Sequence, residues 1–135
     1  MADKSIFILD SFALLAYLQG EKGMERVQSV LKDAEKSRCV IHICIINLGE
    51  VLYIIEREKG LAKAHETLAT IRQLPIEVIP VDNQTVLDAA HIKANHTLSY
   101  ADSFAVVCAQ KSDGVVLTGD KEFESVENLI RVEWL

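Results

Sequence analysis

The chain has 135 residues, half of them hydrophobic and a quarter charged, which suits one soluble domain that buries its own core. Lys and Arg number 14 against 20 Asp and Glu, a formal net charge of −6, which argues against a protein that coats nucleic acid by positive charge alone. An enzyme acting on nucleic acid stays open, because a bound divalent cation inverts the local field. The three cysteines, Cys39, Cys44 and Cys108, are odd in number and sit among apolar neighbours. They read as reduced core thiols rather than a disulfide framework. The apolar run in "MADKSIFILD" is too short for a signal peptide, and no later segment is long enough to span a membrane. The expectation is a complete, cytoplasmic chain with no membrane partner, forming a single domain over residues 1–135.

In chain order, "SIFIL" (5–9) is a short apolar run ending at Asp10, as a buried parallel strand would. "SFALLAYL" reads as a helix closed by Gly20. From Met24, apolar residues recur at Val27, Val30, Leu31 and Ala34, which is helical spacing. "RCVIHICI" (38–45) is β-branched and strand-like. "NLGEVLYIIEREKG" (47–60) and "LAKAHETLATIRQL" (61–74) are helices, and Pro75 interrupts the pattern. "IEVIPV" (76–81) is a third strand. "NQTVLDAAHIKANH" (83–96) and "YADSFAVVCAQKS" (100–112) are helices. "GVVLTGD" (114–120) is a fourth strand, again with an acid at its end. "LIRVEWL" (129–135) is a fifth, at an edge. Strands alternating with helices imply an α/β fold, a mostly parallel sheet of about five strands with helices on both faces. Ligands of such sheets sit beyond the carboxyl ends of the strands.

Asp10 and Asp120 fall at such ends. Glu50 and Asp102 fall early in the helices that flank that edge. Each has a structural reading. Asp10 and Asp120 suit helix N-caps, and Asn47 with Glu50, like Ser99 with Asp102, has capping-box spacing. Yet Glu50 and Asp102 interrupt mainly apolar helices, and the nearest basic residues there, Arg57 and Lys111, are about two turns away. Carboxylates that converge repel one another and raise one another's pKa values. A hard divalent cation such as Mg²⁺ relieves that repulsion through oxygen ligands. A metal-bound water is also a nucleophile suited to phosphodiesters.

Four segments, "FILDSFALLAYL" (7–18), "INLGEVLYII" (46–55), "LSYADSFAVVCA" (98–109) and "VVLTGDKEFE" (115–124), together resemble the PIN-domain ribonucleases, and within them the VapC-type toxins of toxin–antitoxin pairs. The segments stand in the family's order and cover the whole chain. The resemblance implies a three-layer α/β/α sandwich and Mg²⁺- or Mn²⁺-dependent cleavage of RNA. It makes Asp10, Glu50, Asp102 and Asp120 the acidic quartet, with Asp10 and Asp102 the most direct metal ligands. Glu50 and Asp120 complete the site, partly through waters. Attack by water rather than by the RNA 2′-hydroxyl leaves a 5′-phosphate. The resemblance further implies a cognate antitoxin and a homodimer.

Ser11 and Thr118, beside the acids, are candidates to hold a carboxylate, water or phosphate, or to make local backbone bonds. Glu122 is either an outer carboxylate or a solvated helix residue. Arg57, Lys59 and Lys63, near a helix–helix turn, are candidate RNA contacts, although cations there also offset a helix dipole. Cys39, His42 and Cys44 do not close on one ion, because strand residues three or five apart face opposite ways. His65, His91 and His96 lack ligand spacing.

An aspartyl-phosphate phosphatase needs a second Asp two residues after Asp10, where Phe12 stands. A phospho-receiver signalling domain needs paired acids after the first strand and gives Glu50 and Asp102 no task; Asp82 reads instead as a helix N-cap. A stand-alone PIN nuclease of RNA processing and a non-catalytic metal- or RNA-binding module remain as alternatives.

Overall fold

The structure is a computed structural model that describes residues 4–135; the opening residues of the segment read above against a signal peptide, 1–3, lie outside that range. Its elements are β1 (Ser5–Leu9), α1 (Ser11–Gln19), α2 (Met24–Glu35), β2 (Cys39–Cys44), α3 (Ile45–Lys59), α4 (Leu61–Arg72), β3 (Glu77–Ile79), α5 (Asn83–Asn95), α6 (Tyr100–Ser112), β4 (Val115–Thr118), a 3₁₀ segment (Lys121–Val126) and β5 (Arg131–Trp134). The strands form one sheet in the order β3-β2-β1-β4-β5, and all their pairings are parallel.

Side-chain alternation along the strands divides the interior into two cores. Leu9, Cys39, Ile41, Ile43 and Leu117 point to one face, where they meet Leu14, Val27, Val30, Val51 and Ile71 from α1 to α4. Ile8, Cys44 and Val116 point to the other, against Ala89 of α5, Phe104 to Ala109 of α6, and Phe123 and Val126 of the 3₁₀ segment. The result is the expected α/β/α sandwich. Cys39 and Cys44 lie in different cores, and all three cysteines are free and buried. No helix among the described residues is long and apolar enough to cross a membrane.

The central strand β1 pairs with β2 on one side and with β4 on the other. The chain goes from β1 to β2 through α1 and α2, and reaches β4 only after α6. The strand order therefore switches direction at β1, and in sheets of this kind ligands bind beyond the carboxyl ends of the strands at such a point. Asp10 directly follows β1 and Asp120 follows β4 by two residues.

Several boundaries differ from the sequence reading. The second strand stops at Cys44, and α3 begins at Ile45, two residues before the expected start. Ile45 and Ile46 have strand-like side chains, but they sit exposed on the first turn of α3, where their β propensity meets no sheet partner. The third strand is only three residues long; Pro80 has no N–H with which to continue the ladder. Helix α4 ends at Arg72, ahead of Pro75, which disfavours helical backbone at the residue before it.

The two-core arrangement has a measurable consequence. Leu117 is fully buried between β1, β5 and the α1–α4 layer, whereas Leu87 is 63% exposed. Leu117→Ala should lower the unfolding free energy by about 3 kcal/mol, and Leu87→Ala by less than about 0.5 kcal/mol. Urea titration followed by circular dichroism checks both.

Candidate active site

Asp10 caps α1. Its Oδ1 accepts the Ala13 N–H at 2.8 Å, and its Oδ2 accepts the Thr118 hydroxyl. The side chain is buried, as is that of Thr118. The Thr118 Oγ1 in turn accepts the Asp120 N–H at 2.9 Å. One hydroxyl thus ties the acid after β1 to the backbone of the acid after β4. Asp120 caps the 3₁₀ segment, its Oδ1 accepting the Glu122 N–H at 3.0 Å. Gly119 lies between them because Phe12 packs there: a Cβ at position 119 would stand 2.3 Å from the Phe12 ring.

The capping box expected at Ser99 and Asp102 forms only by half. Ser99 Oγ accepts the Asp102 N–H at 3.1 Å. The return bond, to the Ser99 N–H, comes from Glu122 Oε2 at 3.0 Å, not from Asp102. The Asp102 carboxylate is consequently free of capping duty while 4% exposed. Carboxylate oxygens of Asp102, Asp120 and Glu122 lie within 4.8 Å of one another. Glu122 is the residue that sequence reasoning undervalued. Its position two residues past Asp120 was visible, but its bond to Ser99 joins positions 23 apart in the chain.

The other capping box does not form. Helix α3 begins at Ile45 after the N-cap Cys44, so Asn47 is its third residue, inside the first turn. Asn47 is fully buried and donates its amide to the Ala101 carbonyl at 3.0 Å. Glu50 is freed from capping as well. It is half-buried and accepts the Ser11 hydroxyl through Oε1.

Burial pushes the Asp102 carboxyl up to about 8, with further upward pressure from the charges of Asp10, Asp120 and Glu50. Burial likewise raises Asp10 to about 7, against the pull of the Thr118 and Ala13 bonds, with Asp120 and Glu50 again pushing upward. All four acids therefore share one electrostatic neighbourhood. Among the described residues, no salt bridge reaches any of them. An all-carboxylate donor set with buried members and no basic counterion fits a hard divalent cation of the Mg²⁺ or Mn²⁺ kind.

The basic residues separate. Arg57 is seven residues past Glu50, on the same side of α3 and about 10 Å along it. Its guanidinium lies 5.1 Å from the centre of the exposed Tyr53 ring. Lys59, two residues on, turns to the opposite side of the helix. Lys63 on α4 reaches Glu66 at 3.4 Å. His42 faces Glu77 at 3.3 Å, away from any cysteine cluster, and Asp82 caps α5 through the Thr85 N–H at 2.8 Å. A separate, largely apolar cavity beside His42, Val81, Cys108 and Lys111 contains none of the four acids.

A parallel α/β/α sandwich with a carboxylate cluster at its switch point is the class of protein that fold and site define. The family model of the PIN domain matches residues 7–129, and the chain belongs to that family. Solved structures resemble it over nearly their whole length. The DNA-bound VapBC of Salmonella typhimurium aligns with a TM-score of 0.73 at 20% identity, covering 96% of this chain and 97% of that one. VapBC2 of Rickettsia felis, bound to a DNA fragment from its promoter, aligns with a TM-score of 0.72 at 17% identity, covering 95% and 97%. Mycobacterium tuberculosis VapC20, a toxin that cleaves the sarcin–ricin loop, aligns with a TM-score of 0.68 at 20% identity, covering 90% and 95%. No curated protein sequence matches the chain.

The raised acids make a signed prediction. Asp10 and Asp102 start from an ordinary value of 3.8 and rise to about 7 and about 8. Between those values the folded protein holds protons that the unfolded chain has released. Metal-free stability therefore falls as pH rises through that window. Asp102→Asn should raise the melting temperature in EDTA at pH 8 by about 5 °C and leave it nearly unchanged at pH 4. Scanning calorimetry at both pH values provides the comparison.

Proposed function

We propose that this chain is an endoribonuclease that hydrolyses RNA phosphodiester bonds with Mg²⁺ or Mn²⁺, and that it is the toxin of a VapBC-type pair. The observation that carries the reading is the convergence of the Asp102, Asp120 and Glu122 carboxylates within 4.8 Å of one another, in the electrostatic neighbourhood of Asp10 and Glu50 and without a cationic partner among the described residues, in a PIN-domain sheet. The toxin role is supported by the VapBC and VapC structures that share the fold, one of them described as a toxin that cleaves the sarcin–ricin loop.

Asp10 and Asp102 are the residues that would hold the ion directly, with Glu50 and Asp120 completing the shell in part through water. When bound, the ion supplies an acidified water and neutralises charge that builds on the scissile phosphate. The chain's own groups do the rest. Thr118 keeps the Asp10 carboxylate turned toward the site, and Ser11 does the same for Glu50. The Ser99 hydroxyl and Glu122 fix the first turn of α6, which carries Asp102. Glu50 and Asp120 would help orient the attacking water. Arg57, on the Glu50 side of α3, is positioned for an RNA phosphate beyond the cut. The exposed Ile45, Ile46 and Tyr53 on α3 offer apolar surface for a second copy of the chain, and the acidic pocket suits an Arg or Lys from a cognate antitoxin.

The test is cleavage of a 5′-labelled RNA by purified protein in Mg²⁺, Mn²⁺ or EDTA. Activity should require the metal and yield new 5′-phosphate ends. Asp10→Asn and Asp102→Asn should each reduce the rate by roughly a thousandfold. Undiminished cleavage in EDTA, or in both variants, overturns the reading. Arg57→Ala should raise KM several-fold with kcat little changed, because a phosphate contact away from the reacting atoms contributes uniform binding.

A further inference from the structure

Asn47 has no part in the acid quartet, yet it occupies an anomalous position. It is fully buried in the first turn of α3. Its Nδ2 donates to the Ala101 carbonyl at 3.0 Å. Its Oδ1 is buried without a hydrogen-bond partner among the described residues. Leaving such an acceptor unpaired is destabilising, and an apolar side chain would occupy the position without it. Packing therefore does not account for an asparagine here. Half-satisfied buried polar groups of this kind occur where a site needs them.

The single bond it does make joins two particular places. Ala101 immediately precedes Asp102. Glu50 is one turn beyond Asn47 on the same side of α3. Asn47 thus ties the first turn of the helix that carries Glu50 to the first turn of the helix that carries Asp102. Asp10 and Asp120, and to a lesser extent Glu50, repel the Asp102 carboxylate. Nothing else described between these first turns opposes that repulsion with a directional bond. The Ser11–Glu50 bond holds α3 to α1 instead, and the Glu122–Ser99 bond holds α6 to the 3₁₀ segment.

We propose that Asn47 is a positioning residue for the cation site, clamping the first turn of α6, which carries Asp102, to the first turn of α3, the helix that carries Glu50. The inference rests on the reading of the quartet as a cation site. Residues that orient metal ligands without touching the ion typically contribute ten- to a hundredfold in affinity (about 10–100-fold), and that is the effect expected here.

The experiment measures Mn²⁺ affinity of the full chain by calorimetry, with thermal stability recorded in the metal-free state. Asn47→Leu keeps the branch at Cγ, with bulkier ends, and removes both the clamp and the unpaired oxygen. It should melt near the parent temperature and bind Mn²⁺ at least about tenfold more weakly. Asn47→Ala should show the same loss of affinity on a less stable fold. Val51→Ala, in the same helix but in the core, should lose stability with Mn²⁺ affinity retained. Parent-like affinity in Asn47→Leu overturns the proposal. So does an equal loss in Val51→Ala, which would tie affinity to general stability. A parent protein that binds no Mn²⁺ removes the cation reading itself, and the role of Asn47 with it.

Discussion

Asp10 and Asp102 are buried at one edge of a parallel sheet, with no basic side chain paired to either among the described residues, and much of the surrounding architecture serves to keep them there. A lone buried carboxylate would escape its penalty by protonation or by turning to solvent. Here the backbone forbids the second route. Asp10 emerges from the central strand and is held by the first turn of α1 and by Thr118 from the neighbouring strand. Asp102 emerges in the first turn of α6, the helix with the longest buried run in the molecule. Protonation, or a cation brought beside them, are the two ways that remain to neutralise the pair.

The hydrogen bonds around the acids divide labour between capping and chemistry. Asp10 spends one oxygen on the α1 cap, Asp120 spends one on the 3₁₀ cap, and Asp102 spends neither on Ser99. Glu122 takes that duty. A carboxylate brought from the far side of β4 thereby leaves both Asp102 oxygens outside the cap. Thr118 acts at the hub, donating to one acid and accepting from the backbone of another. The hydroxyl next to each acid is thus part of the support for the acid, not a competitor for it.

Legibility in the sequence followed the range of the interactions. Helix α6 was readable to the residue and α1 to within one, because their N-caps Asp10 and Ser99 act on amides three residues away and α1 stops at a left-handed Gly20. The five strands were readable in number and direction from their apolar runs and the helices between them. The start of α3 was misread because Ile45 and Ile46 carry strand propensity and local sequence contains no competing signal. From that error came the false capping box at Asn47 and Glu50. The basic trio near 56–63 was readable as charge but not as geometry, since Arg57 and Lys59 lie on opposite sides of one helix.

The sequence by itself determined the alternation of strands and helices, the two-sided burial of the sheet and the placing of an acid at the carboxyl end of β1 and of β4. These depend on side-chain period and on contacts a few residues apart, which the order of amino acids states directly. Only the tertiary structure decided which carboxylates are free, which are spent and what holds them. The bonds concerned join Ser99 to Glu122 across 23 positions, Ser11 to Glu50 across 39, Asn47 to Ala101 across 54 and Thr118 to Asp10 across 108. Such partners meet only when the sheet has ordered its strands, and burial, which sets the charge state of Asp10 and Asp102, exists only once both helical layers have closed over it.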